Sequence, residues 1–387
     1  MRQVAGSTPA PGSNSTSLGA VLLCKFSGGP AEHDSYRRHS RFDRPDEWDE
    51  YVSRHPEGRF CQLYASKCIE RIYGYRAEFI AFRSSGRIVG VLPFFEARSL
   101  LFGKRLVSQP FSEYGGFLLD SDLLDDDRNK IIDYVLGLSR ELGCPALEMH
   151  GNLGLGRTDA RFGEDNRYQL AYLRLQRPAD ELWDKVISRH VRKAVRKAER
   201  EGVRTMETTD ARMLRAHFYP LYLQSMTRLG APAHSMDYFL ECSTAFGERM
   251  RIFWAIYRDE PIAALLGFSC GERVSIVNIV SDERYWHLRP NDLIHWQYIK
   301  WACDNAYRFF DFGSVRYEGQ ARFKGKWGCD FRDSGYYFLR SRPDGRNHST
   351  FDSSSRTMVL AAKTWAKCMP LPLARGVGPL LRKHLIR

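Results

Sequence analysis

The sequence predicts an α/β protein made of two similar units in tandem. Three observations lead there. The chain has 387 residues, too many for one ordinary domain, and 43% of them are hydrophobic, enough to fill more than one core. Short apolar runs bounded by turn residues alternate with amphipathic stretches. The order of these elements then recurs, since each half reads as helices, an antiparallel hairpin, a helix and a strand.

Residues 1–40 are a flexible lead, rich in Ser, Thr, Pro and Gly and then charged. A helix opens at Asp46-Glu47-Trp48 with an acidic first turn, and a second covers 65–73. The apolar runs 77–82 and 88–95 flank Ser84-Ser85-Gly86-Arg87 and form a hairpin. A third strand lies at 105–108, and 115–119 continues the sheet. Residues 122–142 form a helix with Ile131, Val135, Leu138 and Leu142 on one face, followed by a strand at 144–149. In the second half a strand at 170–175 leads into one long helix, 182–201, ended by Gly202. Helices at 217–229 and 236–246 come next. The hairpin 252–257/262–270 turns at Arg258-Asp259-Glu260-Pro261, and 274–280 follows it. A helix at 292–306 and a strand at 309–312 close the unit. The boundaries are 1–40 for the lead, 41–168 and 169–340 for the units, and 341–387 for a basic amphipathic tail.

The net charge of +12 implies an anionic partner: a phosphate, a nucleic acid or an acidic membrane surface. In the tail nine Lys and Arg face only Asp344 and Asp352, a net +7, beside Met358-Val359-Leu360, Trp365, Leu371 and Leu380-Leu381. That composition suits peripheral contact with a membrane, and equally packing on the domain. The nine cysteines are scattered and make no Cys-x-x-Cys pair, so neither a disulfide framework nor a metal site is expected. The apolar run 18–26 is too short to span a bilayer. The expected location is cytoplasmic, at the inner membrane face if the tail binds there.

Several segments can carry chemistry. The strand 307–312 ends at Asp311-Phe312-Gly313, and strand ends in open α/β sheets leave a crevice for ligands. Phe323-Lys324 and Trp327-Gly328 follow, where two aromatics can fix the lysine as an anion holder. Glu113-Tyr114-Gly115-Gly116 offers backbone amides for an oxyanion and a carboxylate to take an amine proton. The bland reading of that segment is a β-bulge. On the basic helix, Arg192, Arg196 and Lys197 suit phosphate contacts or are simply solvated. Asn291, as N-cap after Pro290, makes an anion site at a helix start, or only an ordinary cap. Arg228 sits at a helix end, and His234 in the Gly/Pro loop after it is a candidate base. Nucleophile elbow, dinucleotide fingerprint and P-loop are all missing.

In order along the chain, Arg54-His55-Pro56-Glu57, Gly86-Arg87-Ile88-Val89-Gly90, Tyr114-Gly115-Gly116, Arg228-Leu229-Gly230, Pro290-Asn291, Phe312-Gly313 and Phe323-Lys324-x-x-Trp327-Gly328 resemble the FemAB family. The likeness is strongest to FemAB-related proteins of exopolysaccharide and exosortase gene clusters. It implies two tandem GNAT-like (acyl-CoA N-acyltransferase) domains with mixed, mostly antiparallel sheets. It also implies acyl or aminoacyl transfer to an amine of a cell-envelope precursor or polysaccharide. The donor would be an acyl-CoA or an aminoacyl-tRNA, with nucleic acid a partner only in the second case. The acceptor would be a phosphorylated or anionic small molecule or glycan-lipid. Two departures stand out. The usual coenzyme A glycines are missing, and the arginine expected just after Gly313 is supplied by Arg316. A catalytically inactive scaffold for anionic glycan or lipid-phosphate carriers is the alternative.

Overall fold

The computed structural model describes residues 44–99, 103–144, 146–151, 161–165, 168–339 and 356–385, with three two-residue strands between 20 and 40. The remaining lead and residues 340–355 lie outside the described residues.

Two mixed sheets form the frame. In the first, Arg76–Ser84 and Arg87–Ser99 make the expected hairpin. Gly103–Val107 adds antiparallel to it. The helix Asp125–Glu141 then crosses over, and Ala146–His150 returns parallel to Gly103–Val107. The second sheet repeats the plan. Met250–Tyr257, Glu260–Cys270 and Arg273–Ser281 form a meander. The helix Pro290–Asp304 crosses over, and Phe309–Val315 returns parallel to Arg273–Ser281. A parallel return needs such a crossover, which explains the repeated order in sequence.

The second sheet is completed by strands from within residues 169–340, whereas the first takes one from beyond its own segment. Gln169–Arg174 pairs with Phe309–Val315 and with Asp330–Asp333. Tyr336–Leu339, which the sequence places in the second unit, pairs instead with Ala146–His150 and Phe162–Asp165 in the first sheet. The chain therefore crosses between the sheets twice, and the boundary at 340 is corrected.

Two further expectations change. The long helix 182–201 is two helices, Ala179–Lys185 and Arg189–Arg200, because Ser188 caps the second by accepting from the Val191 amide. Only Leu118–Leu119 of the expected strand 115–119 is extended in the sheet; Glu113 to Phe117 is a loop.

The largest core cluster joins the two units. Trp48 from the helix Pro45–Arg54 and Phe79 and Phe95 from the first sheet share it with Phe218, Phe239, Trp254 and Phe268. Phe60 stacks on Phe268 with ring centroids 4.6 Å apart. Each buried aromatic contributes about 1.5–3 kcal/mol over leaving it exposed, so the units are held as one body.

Candidate functional site

In each sheet the parallel pair stays together for three residues only, Arg105–Val107 with Ala146–Glu148 and Arg273–Ser275 with Phe309–Asp311. Beyond that the strands diverge, and a crevice opens at their carboxyl ends. In the first unit that crevice becomes a cavity of about 340 Å³, closed by the crossing segment 332–337. Tyr114, Gly115, Gly116, His150 and Gly151 line it from the first unit, together with Glu57, Arg59, Arg332 and Asp333.

A charge network holds this wall. Arg59, only 3% exposed, reaches Glu57 at 3.2 Å and Asp311 at 3.8 Å, and its guanidinium lies 5.0 Å from the Tyr114 ring centroid. The Tyr114 hydroxyl donates to Asp311 Oδ2 at 2.5 Å, while Asp311 Oδ1 accepts from the Gly313 amide at 2.8 Å. Arg332 donates to both Glu57 oxygens, at 3.3 and 2.9 Å. Burial pushes Glu57 up, but Arg332 and Arg59 prevail and hold it below the usual carboxylate range. Arg273 is pushed down to about 10 by burial and by the Arg59 charge. The Arg273 guanidinium donates to the Pro56 carbonyl at 3.2 Å.

His150 is buried against the same cavity, and its Nδ1 lies 2.6 Å from the Ser112 carbonyl. A carbonyl oxygen only accepts, so Nδ1 carries a proton and donates it to Ser112.

The structure sorts the residues chosen from sequence into four places. Glu113 and Tyr114 reach Arg316 and Asp311 across the two units, whereas Gly116 is bonded within the first unit. Glu113 Oε1 accepts from Ser314 Oγ at 2.6 Å and Arg316 at 2.9 Å. Burial raises the Glu113 carboxyl, but the Arg316 charge and the two hydrogen bonds outweigh it and leave the group below its ordinary value. Glu113 does not line the cavity, and an ion-paired carboxylate is a weak proton acceptor, so its role as base is corrected to an interdomain clamp. Only Gly115 has positive φ, +134°. The Gly116 amide donates to the His150 carbonyl at 2.5 Å, so it does not serve as an oxyanion donor.

Lys324 is corrected more sharply. Its ammonium donates to the carbonyls of Phe312, Gly313 and Ser314 at 2.7, 3.0 and 2.7 Å, which uses all three of its protons. It fixes the strand end and holds no phosphate. Phe323 and Trp327 pack around His295 in the second core, so they shape that end from behind.

Arg228 and Asn291 are linked through Trp286 and Ser281, since Trp286 Nε1 also donates to Ser281 Oγ, at 2.8 Å. Arg228 pairs with Glu283, and its guanidinium lies 5.0 Å from the Trp286 ring centroid. Asn291 Nδ2 donates to Ser281 Oγ at 3.2 Å. The helix begins at Pro290 with Arg289 before it, so Asn291 lies inside the first turn and is not the N-cap.

The others stand apart from the cavity. Arg192 donates to the Trp183 and Asp184 carbonyls at 2.9 and 2.8 Å, closing the preceding helix. Arg196 lies over Trp183, and Lys197 is half-buried on the same helix. His234 is buried between the units, bonded to the Tyr73 hydroxyl and stacked 4.0 Å from Tyr238. Burial and the Arg382 charge hold it well below the usual histidine range, so it is neutral glue between the units and no exposed base.

Glu57, Arg59, His150 and Arg332 were not legible as site residues beforehand. Arg59 offered one signal, a charge set directly against the apolar Phe60-Cys61. Among the described residues no His, Cys, Asp and Glu cluster could hold a metal ion, and no helix is long and apolar enough to cross a membrane.

The Glu113–Arg316 clamp makes a pH-dependent prediction. A carboxyl whose folded pKa is depressed stabilises the fold above its unfolded pKa, and that contribution fades as pH falls through the lower folded value. Glu113→Gln should therefore lower the urea midpoint at neutral pH, with the difference from wild type shrinking below about pH 4. An equal difference at both pH values would remove the clamp.

Residues 187–325 match the acetyltransferase (GNAT) domain family. Among solved structures the chain is similar to FemX, at 16% identity and a TM-score of 0.65, over 77% of this chain and 96% of that one. It is similar to a conserved protein of unknown function from Bacteroides thetaiotaomicron VPI-5482, at 10% identity and 0.55, over 77% and 97%. It is similar to L-PGS from Bacillus licheniformis, at 15% identity and 0.50, over 75% and 89%. At these identities the likeness is one of fold. No curated protein matches the chain.

Proposed function

We propose that this chain, FemAB-like in its tandem GNAT fold and carrying a GNAT acetyltransferase domain at residues 187–325, transfers an activated acyl or aminoacyl group to an amine of a cell-envelope precursor or polysaccharide. The observation that carries this reading is the cavity between the sheets. It presents both signs of charge, Glu57 and Asp333 with Arg59 and Arg332, beside an imidazole oriented by the Ser112 carbonyl. An acceptor bearing an amine and an anionic group matches that wall. A donor that is acyl-CoA or aminoacyl-tRNA carries phosphates, and Arg228 with the start of the helix Pro290–Asp304 offers a cation and a positive dipole end for them.

The reaction needs no covalent enzyme intermediate. The amine nitrogen attacks the donor carbonyl, the C–N bond forms, and the C–O or C–S bond to the donor breaks. In this reading the proton that the amine loses passes to the His150 imidazole lining the cavity, and the leaving oxygen or sulfur is protonated in turn. Holding both reactants in one cavity supplies much of the rate.

The test is transfer assayed by mass spectrometry, with acyl-CoA and aminoacyl-tRNA donors and amine-bearing envelope precursors, in wild type and His150→Gln. Turnover should fall about 10²–10⁴-fold in the variant with KM little changed. Full turnover in His150→Gln would remove the base. Wild type that binds anionic glycan yet transfers from neither donor would leave the scaffold alternative in place of the enzyme.

A further inference from the structure

The C-terminal helices Arg356–Cys368 and Leu371–Arg382 are joined by Met369-Pro370 alone. Both are set on the same support. Gly230 lies so close to Ala362 that an added Cβ would sit 2.3 Å from its carbonyl oxygen, and Gly378 approaches the Ala233 backbone in the same way, at 3.1 Å. Trp365 and Met369 pack on the shared core, and the Tyr75 hydroxyl donates to the Lys383 carbonyl at 2.5 Å. The pair is thus fastened to both units with its inner residues consumed.

The outer residues form two stripes. On the first helix Arg356, Leu360, Lys363 and Lys367 follow helical spacing on the face opposite Ala362 and Trp365. On the second, Leu373, Val377 and Leu380 recur at intervals of four and three residues, 56%, 39% and 67% exposed, and Leu360 is 66% exposed. Large apolar side chains so exposed on a rigid, well-packed element mark an interaction surface. From 356 to 385 there is no Asp or Glu against Arg356, Lys363, Lys367, Arg375, Arg382 and Lys383. A second copy of this surface would bring like charges together, whereas an anionic lipid surface complements them.

We infer that this helix pair docks on an anionic phospholipid bilayer, with Leu360, Leu373, Val377 and Leu380 entering the interface and Lys363 and Lys367 meeting the headgroups. The helices lie on the bilayer and do not cross it, since neither is long and apolar enough. The inference goes beyond the transfer reaction and stands without it.

Co-sedimentation of the full chain tests it, using vesicles of phosphatidylcholine alone and of phosphatidylcholine with phosphatidylglycerol. Wild type should bind the second and not the first, with binding reduced by added salt. Leu373→Ser/Val377→Ser/Leu380→Ser and Lys363→Gln/Lys367→Gln should each weaken binding on the order of tenfold or more, with unchanged melting temperature. Equal binding to both vesicles, or wild-type binding by both variants, would overturn the inference. So would a dimer seen by light scattering that the leucine-stripe variant abolishes while vesicles are ignored.

Discussion

Lys324→Met should destabilise the protein by about 3–5 kcal/mol, the range for removing one partner of a buried charged network. Methionine keeps the volume of the stem and removes the three donors. The carbonyls of Phe312, Gly313 and Ser314, which converge on Nζ within 3.0 Å, then lose the group that holds them together. Such a turn, with Gly313 at φ +71°, does not find replacement partners from its own strand. The melting temperature should fall by roughly 10 °C, given about 2–4 °C per kcal/mol for a domain of this size. Lys324→Arg should not restore it, because a planar fork does not match three carbonyls around one point. A midpoint within a degree or two of wild type would show that the lysine is free for a ligand after all. The Asp311–Tyr114 hydrogen bond rests on this strand end, so the cavity wall should loosen in parallel.

Gly115→Ala should cost about 2–5 kcal/mol, more than backbone strain alone. Two effects combine. At φ +134° the backbone takes a conformation that L side chains rarely adopt. The added Cβ would also stand 2.3 Å from Gln109 Cβ, a position fixed by the main chain and unable to swing away. Gln109 is itself buried and donates to the Cys61 carbonyl, so a shift there spreads to the segment 57–62 at the cavity's side. Transfer activity should fall to background, and the loss of stability should be seen in urea titration. Gly103→Ala is the control: its φ is also positive, +71°, but nothing lies within 4 Å of the added atom, and the cost should stay near 1 kcal/mol. Equal effects at the two positions would show that strain alone acts at Gly115.

The two halves were legible because hairpins are local. Arg83-Ser84-Ser85-Gly86 and Tyr257-Arg258-Asp259-Glu260 each sit between apolar runs, and the sequence near them states the turn, the strands and their antiparallel pairing. The crossover helices were legible for the same reason, through their periodic apolar faces. The short strands Arg204–Glu207, Asp330–Asp333 and Phe162–Asp165 were not, since four polar or mixed residues carry no period of their own. Their extended form comes from a neighbour's unpaired edge.

The sequence by itself determined the α/β class and the tandem plan. Only the tertiary structure decided what each charged group does. A charge on a string of residues looks the same whether its partner is a ligand, a carbonyl or another side chain. Lys324 was spent on three carbonyls, Glu113 on Arg316 and His234 on Tyr73, all through partners remote in sequence or made available by a kinked backbone. Conversely Arg59, Arg332 and His150 came to the cavity because the strand Tyr336–Leu339 crosses back to the first sheet and brings 332–335 against 57–62 and 150–151. That crossing joins residues about 275 positions apart, and no local pattern encodes it; it follows from which sheet edge was left to be covered once both cores had packed.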